Sequence, residues 1–312
     1  MSERAVGVRG RRRSARARQE AVGGYLCISP WIIGFVVFTL GPLIASLAIS
    51  TMEWPGFGPM SFVGLGNWRD VLRSRDTYQS LAATVRYTFM AVPLGIVVAL
   101  AIALVLNQEV IGKNFLRALY FMPSIVSGVA TAFVWIMMFG TDFGIFNGLL
   151  VRLGLPRIPW LGNPGWALRA FVLMSLWGVG STMIIYLAGL KAIPAQLYEA
   201  ARIDGAGAVQ AFLHVTLPML SPTLFFSLTT GVIGALQVFT SSDLLTSGGP
   251  AKATYFVVLY IFMSAFQYWK MGYACALAWM LFGIIIVITG IQFWLAKYWV
   301  YYEAAAPEGK GQ

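Results

Sequence analysis

The stretch from Ala192 to Pro218 reads AIPAQLYEAARIDGAGAVQAFLHVTLP and separates two long apolar runs. Pro194 suits the first turn of a helix, where its missing N–H has no partner to lose. Strong helix formers fill Ala195–Arg202. Gly205 then ends the helix, because glycine tolerates the left-handed conformation of a C-terminal cap. A second helix over about Val209–Thr216 leads into the next apolar run, where Pro218 opens a new segment. The sequence therefore predicts an ordered, helical loop.

One face of the first loop helix is suited to docking. Four positions at i, i+3, i+4 and i+7 spacing share it: Leu197, Ala200, Ala201 and Asp204. The two alanines would let the backbone of another protein approach closely. The alternative is an ordinary connecting loop, in which Glu199 and Arg202 form an i, i+3 pair worth about 0.3 kcal/mol.

The composition places the rest of the chain in a membrane. Of 312 residues, 58% are hydrophobic and only 11% are charged, against about 25% charged in soluble domains; the mean hydropathy is +0.74. A membrane span needs about 20 apolar residues. Six windows qualify: Tyr25–Ser50, Tyr87–Leu106, Leu116–Phe139, Trp166–Leu190, Met219–Phe239 and Tyr273–Lys297. The prediction is an all-α integral membrane protein with six transmembrane helices.

Proline and length refine these windows. Pro42, Pro93, Pro123 and Pro222 are interpreted as tolerated kinks, because neighbouring helices can satisfy the carbonyls that a proline frees. The apolar stretch Thr254–Tyr268 is too short to span and is predicted to be an external-side helix that leads into the sixth span.

The basic residues predict the orientation. Seven of the 22 Lys and Arg residues lie in the first 18 positions, and basic residues beside the first span favour the cytoplasmic side. Six spans then return the C-terminus to the cytoplasm, and the loop 191–217 lies inside. The basic tail is interpreted as an anchor to anionic lipid rather than as a nucleic-acid site. The first apolar run is too long for a cleaved signal peptide and is expected to be retained.

Four regions follow from this layout. They are a basic cytoplasmic tail (1–24), the first transmembrane helix with an external loop (25–83), a transmembrane core with the cytoplasmic loop 191–217 (84–298), and a second cytoplasmic tail (299–312).

Motifs for chemistry are missing from the sequence. There is no G-x-x-x-x-G-K-[ST], H-E-x-x-H or G-x-S-x-G pattern. Cys27 and Cys275 have no C-x-x-C partner or nearby histidine. We therefore expect no catalytic site, no metal site and no cofactor bound by this chain. A membrane enzyme and a secondary carrier are disfavoured, the latter because no span carries a buried acidic or histidine pair.

The loop carries a recognisable motif, E-A-A-x-x-x-G-x9-I-x-L-P. It reads Glu199-Ala200-Ala201, Gly205, Val215 in place of the usual Ile, and Leu217-Pro218. This pattern resembles the signature loop of the permease subunits of bacterial ABC importers, and Ile193-Pro194 with Tyr198 resembles their carbohydrate-uptake branch. Weaker matches are Gly144 with Asn147, and Ser247-Gly248-Gly249-Pro250 ahead of Tyr260 and Ala265-Phe266. The resemblance covers roughly 84–297.

The resemblance implies a type I ABC importer permease of the bacterial inner membrane. Its loop would form a coupling helix that inserts into a cytoplasmic ATPase. The implied ATPase-coupling residues are Glu199, Ala200, Ala201, Asp204, Gly205, Leu217 and Pro218. The implied partners are a second, homologous permease, two cytoplasmic ATP-binding subunits that hold the ATP, and an extracytoplasmic solute-binding protein.

Polar and aromatic side chains of the fourth and fifth spans are candidates for the substrate path: Ser175, Trp177, Ser181, Thr182, Thr229, Thr230 and Gln237. Such residues also serve close helix packing, which is the alternative for each of them. We expect the solute to be a sugar or a related compound, and the alternative is a glycerol-phosphate-like or other non-sugar solute.

Overall fold

The computed structural model describes residues 15–301. Most of the predicted basic tail, and residues 302–312 of the predicted second tail, lie outside the described residues. The α-helices are α1 Ala15–Phe35, α2 Gly41–Ile49, α3 Gly66–Arg73, α4 Arg75–Asn107, α5 Lys113–Phe121, α6 Gly128–Phe139, α7 Ile145–Arg152, α8 Pro164–Trp177, α9 Gly180–Ala192, α10 Ala195–Ile203, α11 Ala208–Ala211, α12 Leu217–Leu236, α13 Thr240–Thr246, α14 Val257–Phe262 and α15 Met271–Trp299. Shorter turns join some of them: π-helical at Val36–Leu40, Phe212–Thr216 and Met263–Gln267, and 3₁₀ at Met122–Ile125.

Within the described part of the chain, four continuous helices are long and apolar enough to cross a membrane. They run over Glu20–Ile49, Arg75–Asn107, Ala208–Leu236 and Met271–Trp299. Two further spans are bent pairs, Lys113–Ile125 with Gly128–Phe139 at 102° and Pro164–Trp177 with Gly180–Ala192 at 49°. Counting each pair as one span gives the six predicted.

The third and fourth spans are each broken into two helices, so the interpretation of Pro123 as a tolerated kink is wrong. In the third, Pro123 lies in the 3₁₀ turn, and Ser127 starts a new helix by accepting a hydrogen bond from the Ala130 N–H at 3.3 Å. Proline removes a backbone donor, and serine is a strong N-cap. Pro93 and Pro222, in contrast, lie inside continuous helices as predicted.

Helix α4 is the centre of the bundle and packs against α8, α9 and α12. Ala99 and Ala103 are fully buried on it, and small residues allow the close helix approach that membrane bundles use. Tyr186 and Met183 of α9 pack in the same cluster, which reaches Ile193 at the start of the loop. The loop therefore begins at a residue that is itself packed in the core.

The first span packs loosely against the rest of the chain. None of the most apolar 18 residues of Glu20–Ile49 is buried. Its contact with the last span includes a hydrogen bond from the Trp279 Nε1 to the Ser46 Oγ at 3.1 Å. This span presents apolar side chains on all sides, as expected of a helix surrounded by lipid.

Two features lie at the end of the bundle where α4 begins. A small antiparallel pair, β1 Met52–Glu53 and β2 Ser61–Phe62, departs from the all-α expectation. The predicted short helix within Thr254–Tyr268 is present as Val257–Gln267. The chain is thus helical throughout its membrane core.

Gly180 generates a prediction about the broken spans. A Cβ at this position would lie 2.1 Å from the Tyr120 carbonyl oxygen and 2.8 Å from the Phe121 Cα, both backbone atoms of the third span. We expect Gly180→Ala to lower the free energy of unfolding by about 1–3 kcal/mol, because the added methyl group would overlap backbone atoms that no side-chain rotation can move away. Thermal unfolding of the purified protein in detergent measures this.

Gly283→Ala is the matched control, since a Cβ there meets nothing within 4 Å. It should leave the stability unchanged or slightly raised, because alanine restricts the unfolded chain. Equal stability of the two variants would contradict the close approach of the broken spans.

Candidate coupling loop and substrate cavity

The loop helix α10 forms as predicted, with one shift at its start. Pro194 is the N-cap in extended conformation (φ −60°, ψ 130°) rather than a residue of the first turn. At the other end Gly205 adopts φ +80°, and the Ala206 N–H donates to the Ala201 carbonyl at 2.9 Å. This six-to-one hydrogen bond around a left-handed glycine is a Schellman cap. Gly205 therefore fixes the turn between the two loop helices.

The predicted small-residue face lines a shallow groove of about 490 Å³. The structure places Leu197, Ala200, Ala201 and Asp204 together along one wall. The opposite wall is formed by Gln210, Ala211, His214 and Val215 of the returning helix. The groove therefore combines short apolar side chains with the polar groups of Asp204, Gln210 and His214.

Glu199 lies on a different face of α10 from this groove, 200° around the helix from Leu197 at about 100° per residue. It is exposed, and the described residues offer it no ion pair, so the alternative pairing with Arg202 is not formed. Ile203, beside it, is 86% exposed. The loop thus shows a free carboxylate and an apolar side chain on one side, and a groove on the other.

The loop is joined to the fifth span without a break. Pro218 lies in the first turn of α12, as expected, but the helix continues without a break from Ala208 to Leu236. The π-helical turn Phe212–Thr216 directly precedes Leu217 and Pro218. A wider turn accommodates a proline, which has no N–H to donate.

One side-chain contact joins the loop helix α10 to this continuous helix. The Tyr198 hydroxyl lies 3.0 Å from the Thr216 Oγ1, and Thr216 is buried. This hydrogen bond therefore joins α10 to the helix that continues into the membrane.

A second cavity, of about 230 Å³, lies between the spans. Helices α4, α8, α9 and α12 contribute its walls, and two of the candidate path residues, Ser175 and Thr182, line it. The other five candidates do not line it. Trp177 and Ser181 are exposed, and Gln237 is the C-cap of α12. Thr230 donates to the Phe226 carbonyl of its own helix at 2.9 Å, and Thr229 is buried with no hydrogen-bond partner for its Oγ1 among the described residues.

Sequence reasoning missed the residues of α12 that do line this cavity. Ser227, Gly231 and Gly234 follow one another at i, i+4 and i+7, the spacing of a single helix face. Thr229 and Thr230 lie on other faces. The helical spacing of these small residues could have identified them from the sequence. Nothing in the sequence predicts that Tyr87, on the facing wall, lines the cavity.

The weaker motif matches have structural roles. Asn147 is buried and donates to the carbonyls of Thr141 and Ile158 at 3.0 and 2.9 Å. A Cβ on Gly144 would lie 2.2 Å from the Gly140 carbonyl oxygen. Both residues therefore hold the turn after α6. No cluster of three His, Cys, Asp or Glu suited to a metal ion occurs among the described residues.

The fold and the loop together define a multi-pass membrane protein of the transport-permease class. Residues 91–299 match the family described as "Binding-protein-dependent transport system inner membrane component". The chain belongs to this family, which confirms the resemblance drawn from the loop motif and places the protein in the inner membrane.

Curated relatives agree. The chain is 42% identical to the probable ABC transporter permease protein YesP of Bacillus subtilis over 94% of this chain and 96% of that protein. It is 38% identical to the trehalose/maltose transport system permease protein MalF of Thermococcus litoralis, over 81% and 85% respectively. A chain in the crystal structure of a bacterial alginate ABC transporter, in complex with an alginate pentasaccharide-bound periplasmic protein, has the same fold. It superposes with a TM-score of 0.82 at 22% identity, over 92% of this chain and 98% of that one.

The Tyr198–Thr216 contact generates a prediction. Tyr198→Phe and Thr216→Val should each destabilise the loop by about 0.5–1.5 kcal/mol, because each breaks the same hydrogen bond. The double variant should cost less than the sum of the two, since the bond can be lost only once. Hydrogen exchange of the α10 amides measures the three losses, and strictly additive values would show that the two side chains act independently.

Proposed function

We propose that this chain is a permease subunit of an ATP-driven sugar importer and is coupled to a cytoplasmic ATPase through the loop 191–217. The loop geometry carries the proposal: a capped helix with an unpaired carboxylate and an open groove, fastened to a continuous membrane-spanning helix. The family supports dependence on an external binding protein. The named solutes of the MalF relative, trehalose and maltose, support a sugar.

The remaining parts of the assembly are part of the same proposal. A second, homologous permease completes the path, and two cytoplasmic ATP-binding subunits hold and hydrolyse the ATP, so this chain is not itself an enzyme. Both termini lie in the cytoplasm, on the same side as the loop.

In this assembly each loop residue has a distinct task. Ala200, Ala201 and Asp204 border the groove that receives part of the ATPase, while Glu199 meets a basic or polar group of that subunit. Gly205 supplies the turn, and Leu217-Pro218 continues the motion into the span. ATP binding draws the two ATP-binding subunits together and displaces the loop. The helix that starts at Ala208 carries this displacement of the loop to the cavity wall at Ser227.

The cavity favours an uncharged solute over the glycerol-phosphate alternative. Its lining, within the described residues, includes hydroxyls of Ser175, Thr182 and Ser227 but no lysine or arginine. A phosphate group buried there would lack the charged partner that it requires. Hydroxyl groups and the ring of Tyr87 suit a sugar, which combines hydrogen-bonding groups with an apolar face.

Glu199→Lys should abolish uptake and the co-purification of the ATPase while leaving insertion in the membrane intact, because a carboxylate at the interface is replaced by the opposite charge. The measurement is labelled maltose uptake into cells, with quantification of the ATPase that purifies with the chain.

Glu109→Lys is the control for the same change of charge. Glu109 is exposed and lies just after Asn107, the end of α4 nearest the loop. It accepts a hydrogen bond from the Lys113 Nζ at 2.9 Å, which lowers the pKa of its carboxyl. Uptake should persist in this variant. Wild-type uptake in Glu199→Lys would remove the loop from the coupling mechanism.

The cavity gives a separate prediction. Gly234 lines it, and a Cβ there meets nothing within 4 Å, so Gly234→Leu should fold and fill the space. We expect at least a tenfold loss of uptake while the ATPase still co-purifies. Gly290→Leu, on α15, also meets open space but does not line this cavity, and should transport normally. Unimpaired uptake in Gly234→Leu would place the path elsewhere.

A further inference from the structure

The central sequence of the loop occurs a second time in the chain. Residues 198–205 read Y-E-A-A-R-I-D-G, and residues 302–309, after the last span, read Y-E-A-A-A-P-E-G. The tyrosine, the glutamate, the two alanines and the final glycine are identical, and the seventh position holds Asp204 in one copy and Glu308 in the other. The run Y-E-A-A occurs at these two places and nowhere else in the sequence. We name residues 302–309 the tail copy.

The shared residues are those that the loop presents to a partner. Glu199 is exposed and has no ion pair among the described residues. Ala200, Ala201 and Asp204 border the open groove, and Gly205, at φ +80°, fixes the turn. A surface that recognises the loop must therefore recognise a free carboxylate, two small side chains and a second acid. The tail copy contains all of these groups in the same order.

Two positions differ between the copies without removing this set. Arg202 and Ile203 of the loop correspond to Ala306 and Pro307. Two acids and one arginine give the loop copy a charge of −1, whereas two acids alone give the tail copy −2. A basic surface that attracts the loop therefore also attracts the tail copy. The tail copy lacks the apolar side chain of Ile203, which is 86% exposed in the loop, and so it is the weaker ligand on contact.

The structure places the start of the tail copy beside the loop. The N–H of Tyr301, the last residue that the structure describes, donates to the Ser221 Oγ at 2.8 Å. Ser221 is buried and donates in turn to the Pro218 carbonyl at 2.6 Å. The ring of Trp299 meets the ring of Phe225 edge to face, with centroids 6.1 Å apart. The chain therefore leaves the bundle at the first turns of α12, directly after the loop.

The tail copy can reach whatever docks on the loop. Ser221 lies six residues after Val215, a residue of the groove wall, which is about 9 Å along the helix. An extended chain covers about 3.5 Å per residue. The eight residues that follow Tyr301 can therefore span up to about 28 Å. A segment tethered so close to a surface has an effective concentration in the millimolar range there.

We infer that residues 302–309 are a second ligand for the surface of the cytoplasmic ATP-binding subunit that receives the loop, and that they compete with the loop for it. The inference rests on the proposed function, which supplies that subunit. One surface holds one of the two copies at a time. A docked tail copy leaves the loop free, so ATP binding no longer moves the fifth span.

The same reversal of charge in the two copies should have opposite effects. Glu199→Lys releases the ATPase from the chain, whereas Glu303→Lys should raise ATP hydrolysis by the purified complex in lipid nanodiscs about twofold. The factor follows because a competitor whose Kd is close to its effective concentration occupies about half of the surfaces. Gln312→Lys is the control, since it adds a positive charge after the tail copy, and it should leave the rate unchanged.

A synthetic peptide of residues 301–312 tests whether the two copies share one surface. At millimolar concentration it should release the ATPase from the immobilised wild-type chain, and a peptide of residues 198–205 should do the same. The 301–312 peptide that carries Glu303→Lys should not, because it lacks the shared carboxylate. The amount of ATPase that stays with the chain is the measurement.

Several results would overturn the inference. They are an unchanged or lowered rate in Glu303→Lys, an equal rise in Gln312→Lys, and release of the ATPase by the 198–205 peptide but not by the 301–312 peptide. Each of them leaves the proposed function standing, provided that an ATPase purifies with the wild-type chain and is lost in Glu199→Lys. A wild-type chain that purifies with no ATPase would instead refute the proposed function, and the inference with it.

Discussion

One continuous helix, Ala208–Leu236, connects the groove of the loop 191–217 to the cavity between the spans. His214 and Val215 at its start form a wall of the loop groove, and Gly231 and Gly234 near its end form a wall of the cavity. At 1.5 Å per residue its 29 residues cover about 43 Å. The helix therefore connects the groove to the cavity directly, and the π-helical turn Phe212–Thr216 and Pro222 are the places along it where it can bend.

The third and fourth spans differ from this helix in being broken. Gly180 lets the fourth span meet the backbone of the third, and Ser127 and Pro123 interrupt the third. In a bilayer an interruption is tolerated only where protein covers the freed backbone groups. The breaks therefore lie where two spans face each other, next to a helix that does not break. The bundle thus combines four continuous spans with two broken ones, and the broken pair packs against continuous helices.

Much of this could be predicted from the sequence, and the failures have physical reasons. The length of the apolar runs predicted six spans, and Pro194 and Gly205 predicted helix α10 and its C-terminal cap. These predictions succeeded because they depend on residues that are close together in the chain. Pro123 could not be told from Pro93, since whether a proline kinks or breaks a helix depends on what packs beside it. Thr229 and Thr230 were chosen for polarity although Ser227 lies on the cavity face. The cavity of about 840 Å³ at the end of the bundle where α4 begins left no signal, because it joins residues as far apart in the chain as Trp54 and Ser264.

The cavity between the spans has walls from four helices, α4, α8, α9 and α12, so a shift of any one of them changes its shape. Its lining among the described residues offers hydroxyls and glycines but no lysine or arginine. In the proposed mechanism, the helix that starts at the loop groove acts on the wall that carries Ser227, Gly231 and Gly234. Small residues on that wall let a neighbouring helix approach closely, which is the kind of contact that helices of membrane bundles use.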